Sequence, residues 1–498
     1  MAQLGRPGGI MTGNRFAPGA TATVRYRAVI QDTYSDAYQS GDSLAIVPGD
    51  TLANTATITG SVRSNAVPST VLNPSESDST AASIDIARSN IAKSIYAVNG
   101  TPIGAGPLQI APNDTITYHL EFTISTSDIN TLLITDYLPL PIFDLADFDL
   151  AWSSGVIASG AAAPPVNTIQ RYFDDTYSTA GGPGISEVPG NAFVLNYGTN
   201  SDVANPTQKI SVLFTIRVST DPFADSLLLT NQVQQTANNT PGVSQATDAI
   251  IQIILAEPKL SVVKGVVGEN GAGQTFGNAT FTAPDLNNVN TFTGGPLTTA
   301  DVAAIGASNL TTGIDGGDRV RFAAIITNDG RANAYDVQLQ DTVPPGYLNP
   351  GNAAAMNVVV SRGNGVVLVP NVDYTTTFVA GTLQVQLNDN GGVGGLGFGK
   401  NPDGSAVTDG SNILVITYEL VVDAADNTNA TVTNTATLTN YAGAEGAVNH
   451  IPGGLSDSAT VRLTAPVLTK TLGGTEINSV AQNNVANQAV IGELVTYT

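Results

Sequence analysis

Apolar and polar residues alternate with a period of two through most of this chain. From Thr115 to Ile124, the apolar Ile116, Tyr118, Leu120, Phe122 and Ile124 interleave with Thr115, Thr117, His119, Glu121 and Thr123. That pattern predicts a strand with one buried face and one polar face. The same texture returns in "GDRVRFAAII" from Gly317, in "ISVLFTIRVS", in "ILVITYELVV" and, near the start, in "TVRYRAVI". Gly, Asn and Pro punctuate the intervals. "VVVSRGNGVVLVP" predicts a hairpin turning at Asn364 and Gly365, because that dipeptide readily accepts positive φ. Helical periodicity is scarce; "TTADVAAIGASN", inside a Gly-, Asn- and Thr-rich insertion that follows Lys264, predicts one short helix. The expected class is all-β, with pairs of sheets packed face to face.

The strands form an ordered set that recurs. Each copy opens on an apolar run closed by a lysine: "SIDIARSNIAK" at Lys93, "AIIQIILAEPKLSVVK" at Lys264 and "ATVRLTAPVLTK" at Lys470. These are three of only six lysines in 498 residues, so their common position is informative. A strand opening on a small residue and an acid follows, as "NDTITY", "GDRVRF" and "GELVTY". In the first two copies come a "D-x-[LV]-P" turn at Asp136 and Asp341 and an Asn-bearing strand at Asn231 and Asn434, 95 and 93 residues after the aspartate. Asn54 in "LANTATITG" occupies the same place near the start. On this register residues 1–87 are the later part of an incomplete repeat. Residues 88–253 and 254–463 are two complete β-sandwich repeats, the second with the long insertion, and 464–498 begin a further one. The expectation is a segment of a longer tandem array.

Composition narrows the function. The net charge is −22, yet charged residues make up only 12% of the chain, so the surface is mostly neutral and polar. Nucleic-acid binding needs clustered Lys and Arg, which are absent here, and anionic lipid would need a polybasic patch. Cysteine is absent, which removes disulfides and thiolate metal sites. No apolar run reaches the roughly 20 residues that span a bilayer. No phosphate loop, nucleophile elbow or zinc spacing occurs, and the reading is of a non-enzyme without a cofactor. His119 on its strand's polar face and His450 in "VNHIPGG" are expected to be solvated. Asp315 and Asp318 in "GIDGGD", with Asp403 and Asp409 in "NPDGSAVTDG", could offer oxygen ligands to calcium, although Asp-Gly is first a turn signal.

The ordered pattern "K … GDxVxY … DxLPxG … NTA" resembles the bacterial and archaeal surface repeat called domain of unknown function 11. More distantly, it is similar to the isopeptide-forming domains of Gram-positive pilins and adhesins. The first copy departs from it, with "NDTITY", "DYLPLP" and "NQVQQT". The resemblance implies immunoglobulin-like sandwiches in tandem, an extracellular cell-surface location, and a stalk or matrix role. It also implies that a lysine on the first strand joins an asparagine on the last, promoted by a nearby acid. Carried onto this chain, Lys93, Asp136 and Asn231 form one trio and Lys264, Asp341 and Asn434 the next, while Asn54 and Lys470 belong to incomplete trios.

These residue types suit that chemistry. A lysine amine attacks only when neutral, and an apolar core lowers its pKa. An aspartate in the same dry pocket has its pKa raised, so it can carry a proton toward departing ammonia. The simpler alternatives are a snorkelling lysine, a turn-forming aspartate and an asparagine satisfying backbone. The functional expectation is a structural stalk segment of a repetitive surface or secreted protein, partnered by neighbouring repeats of the same chain. The alternative is a calcium- or glycan-binding adhesin module acting through its inserted loops on a surface glycan or protein ligand.

Overall fold

The computed structural model describes residues 45–463, apart from 65, 68, 104–107, 125–127, 179–180, 201–206, 241, 270–309, 390–394 and 426–429. Beyond that span it describes 3–4, 21, 23–31, 33–34, 468–477, 480–481, 489 and 491–497. The helix expected over 298–309 lies outside the described residues. Contacts divide the chain into two compact units, Met1–Ser219 with Leu228–Ile253, and Thr220–Leu227 with Ile254–Thr498. The architecture is nearly all β, in two-sheet sandwiches.

In the first unit, the lysine strand Asn90–Val98 pairs antiparallel with an early aromatic strand, Thr115–Ile124, which pairs in turn with a late aromatic strand, Gln208–Arg217. Thr168–Tyr172 and Ala151–Ile157 extend this sheet on one side and Thr101–Pro102 on the other. The opposing sheet centres on the aspartate strand Ile129–Tyr137, the asparagine strand Leu227–Asn238 and the closing strand Ser244–Leu255. The second unit repeats the plan. Its lysine strand Leu260–Glu269, early aromatic strand Arg319–Asn328 and late aromatic strand Ile413–Val421 are flanked by Val359–Arg362. Facing them are the aspartate strand Tyr335–Thr342, the asparagine strand Thr431–Ala442 and the closing strand Leu455–Leu463.

The predicted alternation sets which face is buried. Ile116, Tyr118, Leu120, Phe122 and Ile124 are all at most 1% exposed, and Phe193 of the opposing sheet meets Phe214 edge-on at 5.2 Å between ring centroids. In the second unit, Phe322, Ile326, Val337, Leu339, Leu414, Ile416, Tyr418 and Leu438 share one core. The expected hairpin turns where predicted: Gly365 has φ +86° and its N–H donates to the Arg362 carbonyl.

The other face of the first unit's sheet departs from expectation, and both histidines are corrections. Thr117, Thr215 and Ser211 are buried on the side read as solvated. The segment after Tyr172 folds over them: Asp175 accepts from the Ser211 backbone N–H at 2.9 Å and from the Ser178 hydroxyl at 2.7 Å. His119 therefore sits under Tyr172, ring to ring at 5.1 Å, and bonds Ser211 Oγ at 2.8 Å. His450 stacks on Tyr441 at 5.0 Å and its side chain is 5% exposed. Period-two alternation cannot report a second layer supplied by a distant loop, and that layer is what covers the His119 ring.

Before the first full sandwich, Thr51–Arg63 and Val71–Asp85 form a long antiparallel hairpin. Ile58, Val62, Val71, Leu72 and Ile84 are exposed on it.

Candidate functional site

Strand register places an acid and an amide side by side in both units. Asp136 lies opposite Val233 and Asp341 opposite Ala436. Asn231 and Asn434 precede those partners by two residues, so each asparagine is the same-face diagonal neighbour of its aspartate. The lysines arrive from the opposing sheet. Ile95 pairs with Tyr118 and Val266 with Phe322, which sets Lys93 and Lys264 two positions along the same buried face. All six side chains expected from the sequence are thus enclosed: Lys93 is 9% exposed, and Asp136, Asn231, Lys264, Asp341 and Asn434 are at most 1%.

In each unit the lysine bridges the sheets. Lys93 Nζ donates to Asp136 Oδ2 and Lys264 Nζ to Asp341 Oδ2. Burial is the largest influence on all four groups. It pushes Lys93 and Lys264 down to about 8, against the opposing pull of their aspartates. It pushes Asp136 and Asp341 up, against the lysines. Desolvation therefore favours the neutral amine and neutral acid over the ion pair. A neutral amine is the form that can attack a carbonyl.

The amides have little else to do. Asn231 approaches Asp136 and Asn434 approaches Asp341, yet Asn231 Oδ1 and Nδ2, Asn434 Oδ1, Asp136 Oδ1 and Asp341 Oδ1 are all buried without a well-aligned hydrogen bond. Buried polar atoms are nearly always paired in native proteins, so their concentration at two equivalent places marks both as unusual.

Aromatic rings complete the pockets, and the sequence reading did not assign them a role. Lys93 Nζ lies 4.5 Å from the Tyr118 ring and 5.4 Å from that of Phe214. Lys264 Nζ lies 5.1 Å from Phe322 and 5.5 Å from Tyr418. Tyr118 pairs with Phe214 across neighbouring strands, and Phe322 pairs with Tyr418. Each pocket holds one Tyr and one Phe, with their strands exchanged between the units. The Tyr418 hydroxyl donates to Asp341 Oδ2 and accepts from Asn434 Nδ2 at 3.1 Å. Burial raises the Tyr118 pKa and Asn231 beside it lowers it, but that contact falls short of a well-aligned hydrogen bond. The signal was present as the last letter of "NDTITY", "GDRVRF" and "GELVTY".

The incomplete trios carry parts of the same arrangement. Asn54 Nδ2 donates to the Tyr26 hydroxyl, and Tyr26 in "TVRYR" occupies the place of Tyr418 in "VITYE". Lys470 Nζ lies 3.9 Å from the Tyr497 ring, and Tyr497 holds the place of Tyr118. Both partial sites are exposed.

The calcium candidates behave as turns. Asp318 Oδ2 accepts from the Asp315 N–H at 3.1 Å. Asp403 and Asp409 each accept from the backbone and hydroxyl of the serine two residues on. Among the described residues, carboxylates gather instead at Asp336, Asp389 and Glu445, whose ligand-capable atoms lie within 4.8 Å of one another. Burial, then Glu445 and Asp336, push Asp389 up to about 6 against the Asp336 backbone. Among the described residues, no helix is long and apolar enough to cross a membrane.

No family model and no curated protein matches this chain, so the resemblance to the domain of unknown function 11 gains no family match. Similar solved structures do exist. The C-terminal domain of the Streptococcus agalactiae AgI/II polypeptide BspA shares 11% identity at a TM-score of 0.33, over 75% of this chain and 100% of that one. The C-terminal domain of the Streptococcus pyogenes antigen I/II-family protein AspA shares 13% at 0.30, over 74% and 98%. The Bacillus cereus major pilin subunit BcpA shares 9% at 0.23, over 82% and 74%. At such values the likeness carries no argument about the site, whose chemistry rests on its own geometry.

Proposed function

We propose that this chain is a stalk segment of a repetitive cell-surface or secreted protein, its sandwiches tied internally by Lys–Asn isopeptide bonds. In this reading 88–253 and 254–463 are complete repeats, 1–87 and 464–498 are parts of others, and neighbouring repeats of the same chain are the partners. One observation carries it. In both units a buried lysine from one sheet meets a buried aspartate of the other, with an under-bonded asparagine diagonal to that aspartate.

The aspartate takes a proton from the ammonium, the amine attacks the asparagine carboxamide carbon, and ammonia leaves. The reaction happens once per domain, so it is maturation and not turnover. Each bond closes a loop of about 140 or about 170 residues, which by analogy with disulfide loop entropy stabilises the fold by roughly 5 kcal/mol. That contribution suits a cysteine-free chain outside the cell. The test is intact mass, with a loss of about 17 Da per bond, the mass of ammonia expelled by amine attack on a carboxamide. Peptide mapping should join Lys93 to Asn231 and Lys264 to Asn434. Unmodified mass in the purified protein would sink the proposal.

A further inference from the structure

The exchange of Tyr and Phe between the two pockets points past packing. If the ring pair served only to wall off the lysine, two phenylalanines would do as well, and each hydroxyl would be an added burial cost. Each pocket instead keeps one hydroxyl, delivered from the early aromatic strand in the first unit and from the late one in the second. The partial site around Asn54 also keeps one, on Tyr26. A hydroxyl beside the asparagine is retained while the supporting strand is not: Tyr118 approaches Asn231 without a well-aligned bond, and Tyr418 bonds Asn434. In the second unit the connectivity is explicit: Lys264 Nζ to Asp341 Oδ2, Tyr418 Oη to the same Oδ2, and Asn434 Nδ2 to Tyr418 Oη. The hydroxyl thus bonds both the acid and the nitrogen that must leave, beside the looser direct approach of Asp341 to Asn434.

We propose that Tyr418 is the proton relay of the cross-linking step, passing to Asn434 Nδ2 a proton held by Asp341, and that Tyr118 serves the first unit in the same way. This rests on the isopeptide reading and assigns it a further catalytic residue. The Lys264 ammonium first gives a proton to Asp341, and the neutral Nζ attacks Asn434 Cγ. As the Nζ–Cγ bond forms and the Cγ–Nδ2 bond breaks, the Tyr418 hydroxyl protonates Nδ2 and is reprotonated from Asp341. Ammonia leaves with its own two hydrogens and the one from the Tyr418 hydroxyl, which is replaced by the first hydrogen of Lys264, passed through Asp341. A second lysine hydrogen remains on Asp341 and the third on the new amide. The Nδ2 contact also fixes the amide rotamer, so the leaving nitrogen faces its proton donor before reaction.

The experiment uses the full chain. Tyr418→Phe places in the second unit the residue the first already carries at Phe214, so the fold should tolerate it. Mass spectrometry over time, at several pH values from 6 to 9, should show the first loss of about 17 Da complete and the second forming on the order of 100–10,000-fold more slowly, the scale of one proton-transfer group. The exchange variant Phe322→Tyr/Tyr418→Phe rebuilds the first unit's arrangement and should restore the rate. A Tyr418→Phe chain that matures with the wild-type time course and pH profile overturns the relay and leaves the bond intact. A slow variant that the folded exchange variant does not rescue also overturns it, since the effect is then one of packing. Absence of any mass loss in the wild type fails the isopeptide reading itself.

Discussion

Lys264 Nζ bonds Asp341 Oδ2 although the two residues belong to opposite sheets of the sandwich. A buried pair of this kind gives little net stability by itself, because desolvation offsets most of the attraction. Its value in the proposed function is to hold a nucleophile against an acid until the amide carbon is attacked.

Removing the acid separates chemistry from fold. Asp341→Ala should abolish the second mass loss and leave the buried Lys264 amine without its bonded carboxylate, with only Asp457 still nearby, a cost of up to about 3–5 kcal/mol on top of the missing bond. Intact mass and urea midpoints, measured beside Asp136→Ala for the first unit, check both effects. Full cross-linking in either variant contradicts the role given to the aspartates.

A pH test isolates the unreacted lysine. Asn434→Ala keeps Lys264 free, folded near 8 and unfolded near 10.5. Between those values the unfolded Lys264 holds more protons, so its contribution to stability rises with pH, opposed by Asp341 only below the pH at which that buried acid ionises in the fold. In the proposed function the wild-type Lys264 is an amide and cannot titrate. Urea denaturation from pH 8 to 9.5 should give a rising midpoint for Asn434→Ala and no such rise for the wild type.

Glu257 supplies an independent slope. It is fully buried, and burial, reinforced by Asp225, pushes it from 4.5 to about 8. The folded state therefore holds the extra proton between pH 4.5 and 8, and stability falls as pH rises through that window. His450, with Nε2 3.6 Å away and pushed down by its own burial, acts in the opposite sense only below 6.5. From pH 6.5 to 8 the loss should be about 1–2 kcal/mol, and Glu257→Gln should flatten it. An unchanged slope in that variant would assign the effect to another group.

Mechanical pulling gives a length instead of a mass. With Lys264 joined to Asn434, the roughly 170 residues between them cannot extend. In Lys264→Arg they can, adding roughly 600 Å of contour at the limit of 3.3–3.6 Å per residue. Equal contour lengths in the two proteins would refute the tie.

Much of this was legible in the sequence because strands expose their period directly. Ile116 to Ile124 announced a buried face, and the recurring Lys, Asp and Asn announced the residues that meet in each pocket. The tyrosines escaped because alternation gives Tyr118 and Tyr418 the same apolar mark as their phenylalanine partners; a hydroxyl's role depends on what lies across the sheet interface. His119 escaped because a polar position in a strand says nothing about a covering loop, and His450 because a loop sequence does not reveal that its ring stacks on Tyr441. Asp336, Asp389 and Glu445 converge through hairpin geometry between segments more than 50 residues apart, which no local spacing encodes.

The diagonal placement of each asparagine on its aspartate has one further consequence. A slip of a single residue between the aspartate and asparagine strands would turn Asn434 or Asn231 to the opposite face, far from any amine. In the proposed function ammonia can therefore be released only by a correctly registered sandwich, and its departure would make that registration permanent. In the proposed function the covalent step proofreads the fold: misaligned domains stay free to unfold and try again, while aligned ones are sealed.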